Sequence, residues 1–412
     1  VKHINHEQYE QLKEYMSYID EGLEKAKLPE KTKDGIRAEL QELRSFIFSA
    51  RAPRVAIVGR RGAGKSSLIN AIFGEERAEV GDVKATTGAG VWHAYESEAG
   101  ALEILDTRGL GEGEAPDEKY QYATSLEEVQ AAIDVQCPDA ILFLSKAKEV
   151  GSRLDEDAAQ LAELKEHIYK VHQYDAPVVG VVTQVDELSP RSSDRPPFDH
   201  PEKQKNIMDA KAVLQEKLTE TTSAPVKVIP VAAYFEVEGG EITYDLRWHV
   251  DTLVDYLIDQ LPDEAQLVMA KLAKVKEIQK KLARRLGKRV AGLTGAVGAQ
   301  PIPLADLPVI TGMQMTMVST IGLISGRSLT KKDLKDFLRA LGVNVAAGFA
   351  LRQLSRQLAR LFPVAGNAIS GAVAYAGTYA LAEAAIAYFI EERSLDKVQD
   401  LFQRTYEKTE RE

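Results

Sequence analysis

Val55-Ala56-Ile57-Val58-Gly59-Arg60-Arg61-Gly62-Ala63-Gly64-Lys65-Ser66-Ser67-Leu68-Ile69-Asn70-Ala71-Ile72-Phe73 reads as a buried strand, a glycine-rich turn and a helix in immediate succession. Its centre, Gly59 to Ser66, fits G-x-x-x-x-G-K-[ST], a pattern that binds phosphate where a strand enters it and a helix leaves it. The main chain from Gly59 through Arg61, Gly62, Ala63 and Gly64 to Ser67 then turns its N–H groups toward one anion. Lys65 supplies a point charge to the β- and γ-oxygens, and the Ser66 hydroxyl is placed to reach Mg²⁺. A lone match of this kind is compatible with a chance glycine turn; the flanking strand and helix argue for a nucleoside phosphate.

Outward from this stretch, apolar runs alternate with helical patterns from Arg54 to about Pro262, the signature of a parallel sheet covered on both faces. Candidate strands are Arg54 to Val58, Gly90 to Tyr95, Ala101 to Leu105, Ala140 to Leu144, Pro177 to Val182 and Val226 to Val231. The third is followed by Asp106-Thr107-Arg108-Gly109, a D-x-x-G. Asp106 at a strand's carboxyl end can hold Mg²⁺ through water, and the Gly109 N–H can sense the γ-phosphate. Thr87, or alternatively Thr86, lies where a threonine can complete the Mg²⁺ shell.

Thr183-Gln184-Val185-Asp186 ends the fifth strand and resembles the guanine motif N/T-K-x-D. An ionised carboxylate only accepts hydrogen bonds, so Asp186 can take both the N1–H and the 2-amino group of guanine, donors that adenine does not present there. Gln184 stands where the motif carries Lys. Val231-Ala232-Ala233 resembles the S-A-K loop, whose backbone N–H, here that of Ala233, meets guanine O6. The expected ligands are GTP and GDP with Mg²⁺.

Residues 54 to 262 resemble the Era/TrmE-like branch of translation-factor-related P-loop GTPases. The G-x-x-G-x-G-K-S run followed by Ser67-Leu68-Ile69-Asn70-Ala71-Ile72-Phe73-Gly74 is also similar to immunity-related and dynamin-like GTPases. The tail, with Ala299-Gln300-Pro301-Ile302-Pro303 and Asp306-Leu307-Pro308, resembles an uncharacterised hydrophobic domain fused to bacterial GTPases of this type. The resemblance implies an α/β, Ras-like fold and GTP hydrolysis that works by positioning and charge neutralisation. Leu110 follows D-x-x-G where Ras-like enzymes carry a water-orienting glutamine, so slow intrinsic turnover is expected. Gly62 replaces the Asn of potassium-stimulated relatives. Arg60 and Arg61 are candidate arginine fingers, in cis or across a GTP-dependent homodimer, an effect of about 10³-fold or more. The competing expectation is that they are solvated or pair with acidic residues such as Glu112 and Glu114. Glycines 109, 111 and 113 with Glu112, Glu114, Asp117 and Glu118 suit a segment that orders around the γ-phosphate and relaxes after hydrolysis.

The 412 residues exceed one average core, and the divisions read from the sequence are an N-terminal helical hairpin (1–51), the nucleotide domain (52–262) and an all-helical tail (263–412). Tyr9, Leu12, Met16, Ile19 and Leu23, then Ile36, Leu40, Leu43 and Ile47, recur at helical spacing in the hairpin. With 52 Lys and Arg against 62 Asp and Glu, the net charge of −10 argues against nucleic acid as the main partner. The single cysteine, Cys137, suggests a reducing, cytoplasmic setting, in one reading peripheral on the inner face of a membrane. No spaced cluster of His or Cys suggests zinc.

The proline-rich loop Ser189 to Lys205 reads as mobile or as a partner contact. Lys271, Lys274, Lys276, Lys280, Lys281, Arg284, Arg285, Lys288 and Arg289 crowd one predicted helix, opposed only by Glu277. Nearly uncharged stretches follow at 308–325 and 362–382. In one reading the basic residues meet an anionic membrane surface and the apolar stretches insert, at about 1 kcal/mol per cation. In the other they are the solvated face of a helical bundle. Gly366, Ser370, Ala374 and Thr378, four residues apart, permit close helix approach in either case.

Overall fold

Four consecutive apolar residues, Val55 to Val58, have no polar face to give to solvent. The computed structural model places them in strand β1 (Arg54–Val58), buried between parallel neighbours on both sides. The structure describes residues 4–26, 28–60, 62–74, 79–82, 92–97, 100–107, 126–151, 154–299, 307–327, 329–343, 358 and 371–411. They divide into two units, residues 51–273 and residues 1–50 with 274–412.

In the first unit β1 is followed by α3 (Lys65–Phe73), β2 (Glu79–Asp82), β3 (Trp92–Ser97), β4 (Gly100–Asp106), α4 (Leu126–Val135) and β5 (Ala140–Lys146). Next come α5 (Leu154–His172), β6 (Val178–Thr183), α6 (Pro201–Thr222), β7 (Lys227–Pro230), the hairpin β8 (Phe235–Glu238) and β9 (Glu241–Asp245), α7 (Val250–Gln260) and α8 (Asp263–Ala273). The sheet order is β2-β3-β4-β1-β5-β6-β7, with β4 to β7 parallel and β2 and β3 antiparallel at one edge. This is the Ras-like α/β fold. Helices α4, α5 and α6 close over Ala56, Val58, Leu105, Ile141, Phe143 and Val182 through Val129, Ile133, Leu161, Leu164, Leu214 and Leu218. The chain leaves β1 toward β4 on one side and β5 on the other. The carboxyl end of β1 is therefore the point where a crevice opens outside a parallel sheet.

Each expected strand is present. The one expected at Gly90 to Tyr95 is described over Trp92–Ser97, while β2 and the β8–β9 hairpin were not anticipated. The hairpin turns on Gly239 and Gly240, with φ of +61° and +86°, the backbone that a two-residue turn between twisted strands requires.

The second unit holds α1 (His6–Lys25), α2 (Glu30–Phe48), α9 (Lys276–Gly298), α10 (Leu307–Ile324), α11 (Lys331–Ala340) and the helices Gly371–Phe389 and Leu395–Arg411. The N-terminal hairpin and the tail thus belong together. Residues 263–273 go with the nucleotide unit, unlike the sequence divisions at 51 and 262. The single basic helix expected from Lys271 to Arg289 is two helices, broken where Lys274 takes φ +50°.

The basic residues are also not a bare cationic face. Lys276 pairs with Glu392 at 3.3 Å, Lys280 with Glu391 at 3.1 Å, Arg284 with Glu383 at 2.9 Å, and Arg289 with Glu39 at 2.8 Å and with Glu42. Lys271 is buried, and burial lowers its pKa. The stretch 308–325 lies within and just beyond α10, whose Gln314 donates to the Thr378 hydroxyl at 3.0 Å. Thr378 lies 2.9 Å from the Thr294 hydroxyl of α9, and a Cβ on Gly287 would fall 2.6 Å from that of Ala382. Small residues therefore bring α9 and the Gly371–Phe389 helix into near contact, as a packed bundle needs. Among the described residues no helix is long and apolar enough to cross a membrane. Gly366 and Ser370 lie outside the described residues.

Candidate functional site

Strand β1 delivers Gly59 against β5, where a Cβ would meet the Leu144 carbonyl oxygen at 2.8 Å, so no larger residue fits without a shift. Gly62 and Gly64 have φ of +78° and +81°, left-handed backbone that side chains disfavour, and Gly64 is the cap from which α3 starts. The first helical bond of α3 runs from Leu68 N–H to Gly64 at 2.9 Å. The amides of Lys65, Ser66 and Ser67 precede it and have no carbonyl inside the helix to bind, and they share the positive end of its dipole. Ala63 is buried beneath the turn, and the Ser66 and Ser67 side chains are exposed at the helix start. This is an anion cradle in the form the sequence implies.

Parallel register places Asp106 beside Ile57 at the carboxyl end of β4, one strand from the cradle. The Lys65 ammonium is ion-paired with the Asp106 carboxylate, and both side chains are largely shielded. The Thr107 hydroxyl donates to the Ile57 carbonyl at 2.8 Å and locks the end of β4 onto β1. Ser66 and Asp106 are thus on adjoining elements, the placement that the sequence expectation of a shared Mg²⁺ requires. Thr86, Thr87, Gly109, Leu110 and Arg61, with the acidic stretch beyond Leu110, lie outside the described residues.

The elements expected to read a base follow β6 and β7. The Thr183 hydroxyl donates to the Ala63 carbonyl at 2.8 Å, and the Gln184 amide donates to the Gly62 carbonyl at 2.8 Å. Gln184 has φ +57° and leads into a single 3₁₀ turn, Val185–Glu187, that carries Asp186. Burial raises the Asp186 pKa above its usual value. Val231 N–H donates to the Val182 carbonyl at 2.8 Å, and Ala232 bridges to Trp248. Ala232 and Ala233 thereby lie beside the Asp186 turn. The sequence motifs supplied these residues but not the two bonds that tie Thr183 and Gln184 to the phosphate loop. In place of the usual Lys, Gln184 still reaches that loop because an amide, like an ammonium, donates.

The Arg60 guanidinium is held by Asp157 at 2.8 Å and by Glu156 at 3.2 Å, both in the first turn of α5, and the Asp157 hydrogen bond raises its pKa. Among the described residues these are the acids that meet it; Glu112 and Glu114 lie outside the described residues. The proline-rich loop is likewise not a loose segment. Phe198 within it is fully buried, and Lys203, already in α6, donates to the carbonyls of Asp186 and Leu188. Lys203 has Lys205 close by and Arg191 and Arg195 before it, and it carries no motif, so nothing in the sequence signalled this.

The model of the 50S ribosome-binding GTPase family matches residues 54–184. GTPase Der of Persephonella marina is 32% identical over 140 residues, covering 34% of this chain and 28% of that protein. The chain therefore spans little more than a quarter of that relative's length. Toc33 of Arabidopsis thaliana, solved in complex with GDP and Mg²⁺, is 15% identical, with 60% of this chain and 95% of that one covered and a TM-score of 0.33. Era of Aquifex aeolicus, bound to GDP and AlF4⁻, is 19% identical, with 63% and 70% covered and a TM-score of 0.30. Residues 54–184 thus carry a P-loop GTPase domain with Der-like relatives at modest identity.

Proposed function

We propose that residues 51–273 bind GTP and GDP with Mg²⁺ and hydrolyse GTP slowly, as a cytoplasmic switch. The observation that carries this reading is the pair of hydrogen bonds from Thr183 and Gln184 to the carbonyls of Ala63 and Gly62. They hold a carboxylate that reads guanine at a fixed distance from a cradle that reads phosphate, so one nucleotide must satisfy both. The relatives named above, Toc33 with GDP and Mg²⁺ and the Der proteins, support the same ligand class.

In this reading the amides of Lys65 to Ser67 hold the β-phosphate, and the Lys65 ammonium exchanges its Asp106 partner for phosphate oxygens. Asp106, through water, and Ser66 would hold Mg²⁺, with Thr87, or Thr86, completing the shell, and the ion would supply charge neutralisation for phosphoryl transfer. Gly109 reads the γ-phosphate, and Leu110 leaves the attacking water without a side-chain partner at that position, hence the slow turnover. A finger role for Arg60 requires release from Asp157 and Glu156, which a homodimer partner can drive only by offering replacement charge.

The lipid-binding reading of the tail is not carried forward, because Lys276, Lys280, Arg284 and Arg289 of its basic stretch are paired with Glu39, Glu42, Glu383, Glu391 and Glu392. A second reading is ribosome or RNA association, which the family match over residues 54–184 favours. The whole-chain charge that argued against nucleic acid does not speak to a local surface. Phosphate release with and without ribosomal subunits, together with co-sedimentation in GTP and in GDP, tests both readings. Turnover at the buffer rate would leave a binding module with negligible hydrolysis.

A further inference from the structure

A lysine with none of its side chain exposed to solvent stands behind the base site. Lys203 is 0% exposed, yet among the described residues it has no carboxylate in ion-pair range. Its ammonium donates to the main-chain carbonyls of Asp186 at 2.5 Å and Leu188 at 2.8 Å, and lies 5.1 Å from the centre of the Phe198 ring. Burying an ammonium costs free energy unless each proton finds a partner. Here two protons meet carbonyls and the remaining side meets an aromatic face, a favourable arrangement for a desolvated cation.

Phe198 continues the contact. It is fully buried with φ +55°, a conformation bulky residues avoid, and its carbonyl accepts from the Gln204 amide at 2.8 Å. Its ring meets Trp248 edge-on, with centroids 5.4 Å apart and planes at 82°. The Trp248 main chain exchanges hydrogen bonds of 2.9 and 3.2 Å with Ala232. A continuous path therefore runs from the Asp186 turn through Lys203, Phe198 and Trp248 to the Ala232-Ala233 loop, passing behind both elements that would face a base.

We propose that Lys203, Phe198 and Trp248 form a brace that sets the spacing of the two base-reading loops, making Lys203 a positioning residue for guanine selectivity. The proposal rests on the assignment of Asp186 as the guanine reader. It explains why the proline-rich segment is fastened rather than free. It also explains why a buried cation is retained, since its positive charge beside the Asp186 turn favours the ionised carboxylate on which guanine recognition depends.

The test is a titration of the full chain with GDP and with ADP, for the native protein, Lys203→Met and Lys203→Arg, from about pH 5 to 8. The charged groups facing Asp186 are Glu187 in its own turn, Lys148 from the loop after β5, and Lys203. Lys203→Met should weaken GDP binding about 10-fold or more, the scale of a lost charge-assisted hydrogen bond, and leave ADP binding unchanged. It should also move the acidic fall in GDP affinity to higher pH, which a purely structural role would not do. Lys203→Arg should recover most of both effects. A native protein that prefers GDP and a Lys203→Met variant within twofold of it, with the same pH profile, overturn the brace. A native protein with no preference overturns the guanine assignment instead. Should Lys203→Met fail to fold, hydrogen exchange of the native chain decides. GDP, but not ADP, must slow exchange at the amides of Phe198 and Trp248 as well as at Asp186, and protection confined to Asp186 and the phosphate loop refutes the proposal.

Discussion

Replacing Thr183 by valine keeps the shape of the side chain and removes only its hydroxyl. Thr183 is 2% exposed, and that hydroxyl donates to the Ala63 carbonyl at 2.8 Å and lies 3.4 Å from the Ser145 carbonyl. Ala63 is itself buried, so its carbonyl loses a donor that water cannot readily replace. Leaving a buried acceptor unsatisfied costs about 1–3 kcal/mol. Because the bond joins the base-reading turn to the phosphate loop, most of that cost should appear in nucleotide binding as well as in folding. It corresponds to about a 5- to 100-fold loss in GDP affinity. Gln184→Ala removes a bond between exposed groups, so it should cost less, about 0.5–1 kcal/mol. GDP calorimetry with urea unfolding of the nucleotide-free proteins measures both quantities. A Thr183→Val protein that binds GDP within twofold of the native chain, or ranks below Gln184→Ala in effect, would refute the coupling of the two loops.

Gly287→Ala should destabilise the second unit by about 1–3 kcal/mol although alanine is the better helix former, because its methyl would lie 2.6 Å from the Ala382 Cβ; a rise in melting temperature would show that α9 and the Gly371–Phe389 helix are not packed this closely. Gly59→Ala meets the Leu144 carbonyl and should abolish tight nucleotide binding with a similar loss of stability, read by GDP titration and thermal melting. Burial raises the Asp186 pKa, and the proposed guanine site needs the ionised form, so GDP affinity should fall with acidification beginning above the usual carboxylate value of 3.8. Folding of the empty protein responds with the opposite sign. The folded state then holds the proton more tightly than the unfolded chain, so the unfavourable contribution of this carboxyl fades as pH falls through its folded pKa; an Asp186→Asn protein should lack both dependences. Because Lys276, Lys280, Arg284 and Arg289 of the tail are paired, the full chain should not float with anionic vesicles in excess of neutral ones, and salt-sensitive flotation would restore the lipid-binding reading.

How much could be read in advance depended on whether a residue's role is local. Strand β1, the glycine turn and α3 were legible because a continuous apolar run and a phosphate loop are written in consecutive residues. Asp106 and Asp186 were legible because each follows an apolar run at a strand's carboxyl end. The hairpin β8–β9 carried a readable signal, Gly239-Gly240 between alternating apolar residues, that was passed over as loop. The boundary at residue 273 was hidden. Helix α8 is buried almost all round, through Leu267, Val268, Met269 and Leu272, and its Lys271 looked continuous with the basic residues beyond Lys274. Ion pairs such as Arg289 with Glu39 join residues far apart in sequence, so charge counted along one helix overstated the exposed cation. Lys203 was invisible for the same reason, since nothing in its neighbours says that it reaches the Asp186 carbonyl.

The account turns on whether the full chain prefers guanine through one carboxylate, and calorimetric titration with GDP and ADP in the presence of Mg²⁺, on the native protein and on Asp186→Asn, measures that directly. Two charge-assisted hydrogen bonds predict a GDP preference of about 100-fold or more that collapses in Asp186→Asn while the protein stays folded. Equal uptake of ADP and GDP by the native chain, or a preference that survives the substitution, would contradict it.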